Sequence, residues 1–171
     1  NNSIAWLDYI DVHKSFSNIH FALENFRGCY CVGGIDLSRT TDLTAASIVI
    51  YKGGKNHIIT KFFMPKKRFT ETVDEDNVPY SLYKDKGFLQ ISGENQVDYK
   101  DVYQWFIDLV KIYKIRPLKV GYDRYMARNL VDEMAMAGFH MDDVYQGTNL
   151  TPILRTFEGD LKDGKYDIKM N

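Results

Sequence analysis

At 171 residues and 44% hydrophobic content, the chain can bury one ordinary core and is too short for two comfortable domains. Its formal net charge of -1 excludes a globally basic nucleic-acid binder, so any DNA contact must be regional or assisted by metal. With neither a signal peptide nor an apolar run long enough to span a bilayer, the expectation is a soluble, intracellular protein; the start at Asn1 rather than Met suggests a piece of something larger.

Residues 1–28 scatter Trp6, Leu7, Ile10, Phe16, Ile19, Phe21, Leu23 and Phe26 among polar residues without a regular period, which predicts a connecting segment with short helical turns. The first regular element is the apolar run from Cys29 to Asp36, whose Gly33-Gly34 pair predicts a bulge or a close backbone approach just before the acid. Cys29 and Cys31 lie two apart in this strand, point the same way, and read as reduced thiols. The four histidines show no ligand spacing around them.

Ser38 to Asp42 supplies a polar turn, Leu43 to Tyr51 a second strand, Gly53-Gly54 a hairpin signal and His57 to Met64 a third strand, ended by Pro65. Together these form an antiparallel meander with Asp36 on its first member.

Residues 65–97 predict a long, partly helical excursion, basic at Lys66-Lys67-Arg68 and acidic from Glu71 to Asp76, that returns as Phe88 to Ile91. Asp98 caps the clearest helix, with Val102, Phe106, Leu109, Val110 and Tyr113 inward. A short strand, Leu118 to Asp123, ends on a second carboxylate. Tyr125 to Ala137 predicts a helix with Leu130, Met134 and Ala137 inward and Gly138 at its C-cap. Met141 to Gln146 reads as a weak strand, and Thr151-Pro152 opens a third helix with Leu154, Phe157 and Leu161 inward. The order predicts an α/β fold: three antiparallel strands, then parallel strands alternating with helices. A right-handed crossover would lay the strand ending at Asp123 parallel to a member of the meander; if that member is the first strand, Asp36 and Asp123 come side by side.

Two aspartates at neighbouring strand ends repel unless one is protonated or a cation lies between them. Hard divalent ions take oxygen ligands, and Mg2+ commonly uses one or two carboxylates plus waters and substrate phosphates. Such a pair suits two-metal phosphodiester hydrolysis, with Asp36 as the bridging ligand and Asp123 on one of the ions.

Gly34-Ile35-Asp36-Leu37-Ser38, then Asp42-Leu43-Thr44-Ala45, then Gly121-Tyr122-Asp123 resemble the nuclease domain of the large terminase subunit of tailed bacteriophages. Asp76-Asn77-Val78-Pro79-Tyr80, Gly87-Phe88-Leu89, Val97-Asp98-Tyr99 and Gln146-Gly147 are similar to that family too, and the likeness runs from about Arg27 to about Ile168. It implies a ribonuclease-H-like fold, Mg2+ or Mn2+ (two ions) held by Asp36 and Asp123, and cleavage of concatemeric double-stranded viral DNA during packaging. The resemblance also implies a third acidic ligand beyond Asn171, since Asp160, Asp163 and Asp167 match no motif. It makes residues 1–28 the linker from an upstream ATPase domain and residues 29–171 the nuclease domain, truncated at its C-terminus. No G-x-x-x-x-G-K-[ST] occurs in the chain, which is not expected to hydrolyse ATP. The implied partners are duplex DNA, that ATPase domain, the small terminase subunit and the portal, in the cytoplasm of the bacterial host, with no membrane.

Each residue also has a plainer reading. Asp36 could be satisfied by the amides of the following turn, Asp42 could cap that turn, and Asp123 could pair with Arg124 or Arg128. Arg39, Lys66, Lys67, Arg68, Arg124 and Arg128 are candidates for DNA-backbone contact, or else solvated charges. Tyr80, Tyr83 and Phe88 read as a small core of the excursion. The competing functions are another nuclease or recombinase on the same fold, and a catalytically incomplete docking domain of the packaging motor.

Overall fold

The computed structural model describes residues 23–37, 43–73, 80–122 and 128–143, and the backbone of 167–170. The predicted helix opening at Thr151-Pro152 and the segments 1–22 and 144–166 lie outside them.

The meander forms as its sequence predicts. β1 (Tyr30–Asp36) pairs antiparallel with β2 (Thr44–Lys52), which pairs antiparallel with β3 (Lys55–Met64). Lys52 and Lys55 close the second hairpin around Gly53 (φ 62°) and Gly54 (φ 76°); positive φ at both central residues matches the right-handed twist of the strands. The 65–97 excursion holds two helices, α1 (Lys66–Val73) and α2 (Tyr80–Asp85), and returns as β4 (Leu89–Ile91), parallel to β3. Buried Tyr83 and Phe88 meet with tilted rings at a centroid separation of 6.5 Å, a small core of the kind expected there.

α3 (Tyr99–Lys111) starts at Asp98, whose carboxylate accepts from the Lys100 amide at 3.0 Å. The Ser92 hydroxyl tightens this corner, donating to Asp101 Oδ2 at 2.6 Å and accepting from the Asp98 amide at 3.0 Å. α3 crosses the sheet to deliver β5 (Arg116–Tyr122), which lies parallel to β1; α4 (Arg128–Met136) then leads to β6 (Met141–Asp143), parallel to β5. The sheet order is β4-β3-β2-β1-β5-β6, with β7 (Asp167–Met170) also pairing with β3.

The two faces of this sheet are built differently. Cys31, Gly33 and Ile35 of β1 face α3 and α4, joining Ala46, Ile48, Ile50, Ile59 and Phe63 with Val102, Trp105, Phe106, Leu109, Leu130 and Met134. Leu23 and Phe26 belong to the same cluster. Tyr30, Val32, Gly34 and Asp36 alternate onto the other face, where Tyr30 and Val32 are exposed. No helix among the described residues is long and apolar enough to cross a membrane.

Several expectations change. Trp105, not singled out by the sequence, is buried on α3, whereas Val110 and Tyr113 are only partly buried. Ala137 is exposed and lies past the end of α4, described over Arg128–Met136; the predicted start at Tyr125 lies outside the described residues. The register break falls between Cys31 and Val32, not at Gly33-Gly34: Cys31 pairs with Pro117 and Val32 with Lys119, leaving Leu118 bulged and exposed. Proline cannot donate to the ladder, so the partner strand dictates the irregularity. Gly33 does show the predicted close approach, since a Cβ there would stand 3.0 Å from Phe106 Cε1 and 3.2 Å from Val120 Cγ2.

Candidate functional site

β1, β3, β5 and β6 all run in the same direction, so their carboxyl ends share one edge of the sheet. In open α/β sheets that edge is where ligands bind. Asp36 is the last residue of β1, half-buried, and paired with Ala45 of β2; the same row continues through Phe62 to Leu89. On its other side, Gly34 pairs with Gly121 and Ile35 with Tyr122. Asp123 follows Tyr122 directly in sequence and lies outside the described residues, as do Arg39, Arg124 and Asp42.

Gly34 and Gly121 are neighbours across the ladder, one alternation behind Asp36 on the same face. A Cβ on Gly34 would meet nothing within 4 Å, so no packing contact explains its glycine. Next in that row, Ser47 and Thr60 join hydroxyls at 2.8 Å, a buried pair that leaves neither unsatisfied.

β6 brings two acids to the same edge that the sequence reading did not single out. Asp142 sits 3.7 Å from Lys119 Nζ, and Asp143, half-buried, pairs with Tyr122 in the ladder. The signal was the second parallel crossover, which aligns the end of Met141-Asp142-Asp143 with the end of β5. Asp167 is placed far from this edge: β7 sets it beside His57, five residues before Phe62 along β3, or about 17 Å at strand rise. Asp160 and Asp163 lie outside the described residues.

The cations divide as well. Lys66, Lys67 and Arg68 form the first turn of α1, a helix where the sequence left loop or helix open. Arg128 opens α4, with its Nε 3.7 Å from Asp132 Oδ1 on an exposed surface. The carboxylate edge offers oxygen donors of the kind hard divalent cations take. Cys31 does not compete for this role: burial, with Cys29 adding to it, pushes its thiol up to about 12. Among the described residues no three His, Cys, Asp or Glu side chains gather closely enough to hold a metal.

The sequence profile described as "Terminase large subunit, endonuclease domain" matches residues 1–168. The crystal structure of the HK97 bacteriophage large terminase shares the fold at a TM-score of 0.65 and 20% identity, over 91% of this chain and 33% of that one. The large terminase nuclease from thermophilic phage G20c aligns at a TM-score of 0.48 and 10% identity, over 84% of this chain and 60% of that one. This chain therefore spans about a third of the HK97 protein. No match was found among curated proteins. The fold is ribonuclease-H-like, as the sequence resemblance implies.

Proposed function

Because the chain belongs to the family of terminase large subunit endonuclease domains, we propose that it is a Mg2+- or Mn2+-dependent endonuclease that cuts concatemeric double-stranded viral DNA during genome packaging. The observation that carries this reading is the β1–β5 register. β1 ends on Asp36, and the parallel ladder reaches Ile35–Tyr122, one residue short of Asp36 and Asp123.

Asp36 and Asp123 are the residues that would hold the ions. Two carboxylates at adjacent strand ends repel, and a bound cation relieves that repulsion. A bound pair of divalent ions supplies activation of water and neutralisation of charge at the scissile phosphate. The chain's own part is to hold Asp36 at the end of β1, with Asp123 next in sequence after β5, and to leave the approach over Gly34 bare. Arg39, Lys66, Lys67, Arg68, Arg124 and Arg128 are the candidates for holding the DNA backbone, which carries no sequence information of its own.

The remaining parts of the reading are also proposals. Residues 1–28 lead in from an ATPase domain, 29–171 form the nuclease domain, and a further acidic ligand joins Asp36 and Asp123. The small terminase subunit and the portal are the partners, and the host cytoplasm is the site of action. Nicking of supercoiled plasmid in Mn2+ tests the central claim: Asp36→Ala should abolish it while the melting curve keeps its cooperativity. Cleavage by this variant at the wild-type rate would place the chemistry elsewhere, and inactivity of the wild type would favour a docking role.

A further inference from the structure

The excursion between β3 and β4 is placed by chirality. α3 carries the chain from β4 across to β5, and α4 from β5 to β6; both travel the same way along the sheet and both pack on the Gly33 face. The β3-to-β4 connection travels the opposite way, so a right-handed crossover sets α1 and α2 on the other face, that of Asp36. Burial agrees with this. Phe62, Met64 and Leu89 alternate onto the Asp36 face and are 6%, 1% and 3% exposed, although none belongs to the main core cluster.

The level is fixed by register. Asp36 shares a row with Phe62, and α1 starts four residues later at the carboxyl edge, two strand spacings or about 10 Å to the side. Lys66 and Lys67 are exposed there, and their amides are already bonded to Gly93 and Glu94 carbonyls at 3.0 Å. Side-chain charge, not the helix terminus, is what this turn presents. Lys84 extends the surface from α2, with its Nζ 5.8 Å from the Phe69 ring centroid. Glu94 stands 4.0 Å from Lys66 with both side chains well exposed, and Glu71 stands 3.8 Å from Arg68. Exposed pairs of this kind contribute little and yield readily to a phosphate.

We infer that the first turn of α1, extended by Lys84 of α2, is a cationic ledge that grips the phosphate backbone of a DNA duplex beside the Asp36 edge. The inference rests on the nuclease reading for its substrate, and it adds where the duplex is held. Removing one phosphate-binding cation should lower the slope of log affinity against log salt by about one.

The test is fluorescence anisotropy of a fluorescein-labelled 20-base-pair duplex across a KCl series, with Ca2+ present and thermal melts alongside. Lys66→Glu/Lys67→Glu should bind at least tenfold more weakly, with a slope lower by about two. The control Lys55→Glu/Lys111→Glu, at the far hairpin and the end of α3, should match wild type. Unchanged affinity and slope in the ledge variant overturns the proposal. Equal weakening in the control, or no duplex binding by wild type at low salt, overturns it too. The nuclease reading fails separately: if Asp36→Ala still nicks plasmid while the ledge variant no longer binds duplex, the ledge stands and the assigned site falls.

Discussion

Gly33 and Gly34 are adjacent in sequence and lie on opposite faces of the sheet. A side chain at Gly33 would press on Phe106 and Val120, whereas one at Gly34 would meet open space. At Gly33 the sheet face is packed closely enough that an added methyl would force a neighbour to move; at Gly34 the opposite face is open, and the strand ends at Asp36 on that side. In this strand stability and chemistry are therefore separable by alternation, and substitutions can address one without the other.

The sharpest break in that comparison is at the acid. Asp36→Asn keeps the size of the side chain and removes its charge, and should lower DNA cleavage at least about a hundredfold, read by plasmid nicking, with the melting midpoint nearly unchanged. On the packed face, Gly33→Ala should destabilise by about 1–3 kcal/mol in urea unfolding, since Phe106 or Val120 must shift to admit the Cβ. Ser47→Ala on the Asp36 face should be milder, about 1 kcal/mol, because it strands the buried Thr60 hydroxyl. Ser47→Ala/Thr60→Val should recover part of that stability.

Lys61 tests whether the packed face is purely apolar. It lies there in register with Ala46; burial lowers its pKa from 10.5, with Asp108 and then Asp101 pulling back. Between the lowered value and 10.5 the unfolded chain holds more protons than the folded one, so this lysine's contribution to stability rises with pH across that window. Subtracting the Lys61→Met profile from wild type should isolate that slope, and a flat difference would contradict it. The smallest effect belongs to Gly34→Ala, expected within about 0.5 kcal/mol of wild type in the same urea experiment.

Legibility in the sequence follows the strength of local signals. The meander was readable because each strand is bounded by turn chemistry, Gly53-Gly54 above all; the parallel entry of β5 followed from the intervening helix, but which strand of the meander it joins did not. α1 was harder: Lys66–Val73 carries only Phe69 and Val73 as apolar residues, and Pro65 reads equally as a strand terminator or as the opening of a helix. The bulge at Leu118 was invisible in β1 itself because it and the adjacent Pro117 sit far along the chain on the partner strand. Trp105 was missed although it follows Val102 by three and so shares its face. The acids of β6 became visible only once β5 and β6 were aligned.

Membership of Asp36 in a divalent-cation site is tested most directly by thermal melting under Mn2+ titration, comparing wild type with Asp36→Asn. A ligand that binds only the folded state raises the midpoint, by the equivalent of about 2.7 kcal/mol at a hundred times its dissociation constant. The expected result is a saturable rise in the wild type that Asp36→Asn abolishes. An equal rise in both proteins, or none in the wild type at millimolar Mn2+, would contradict it.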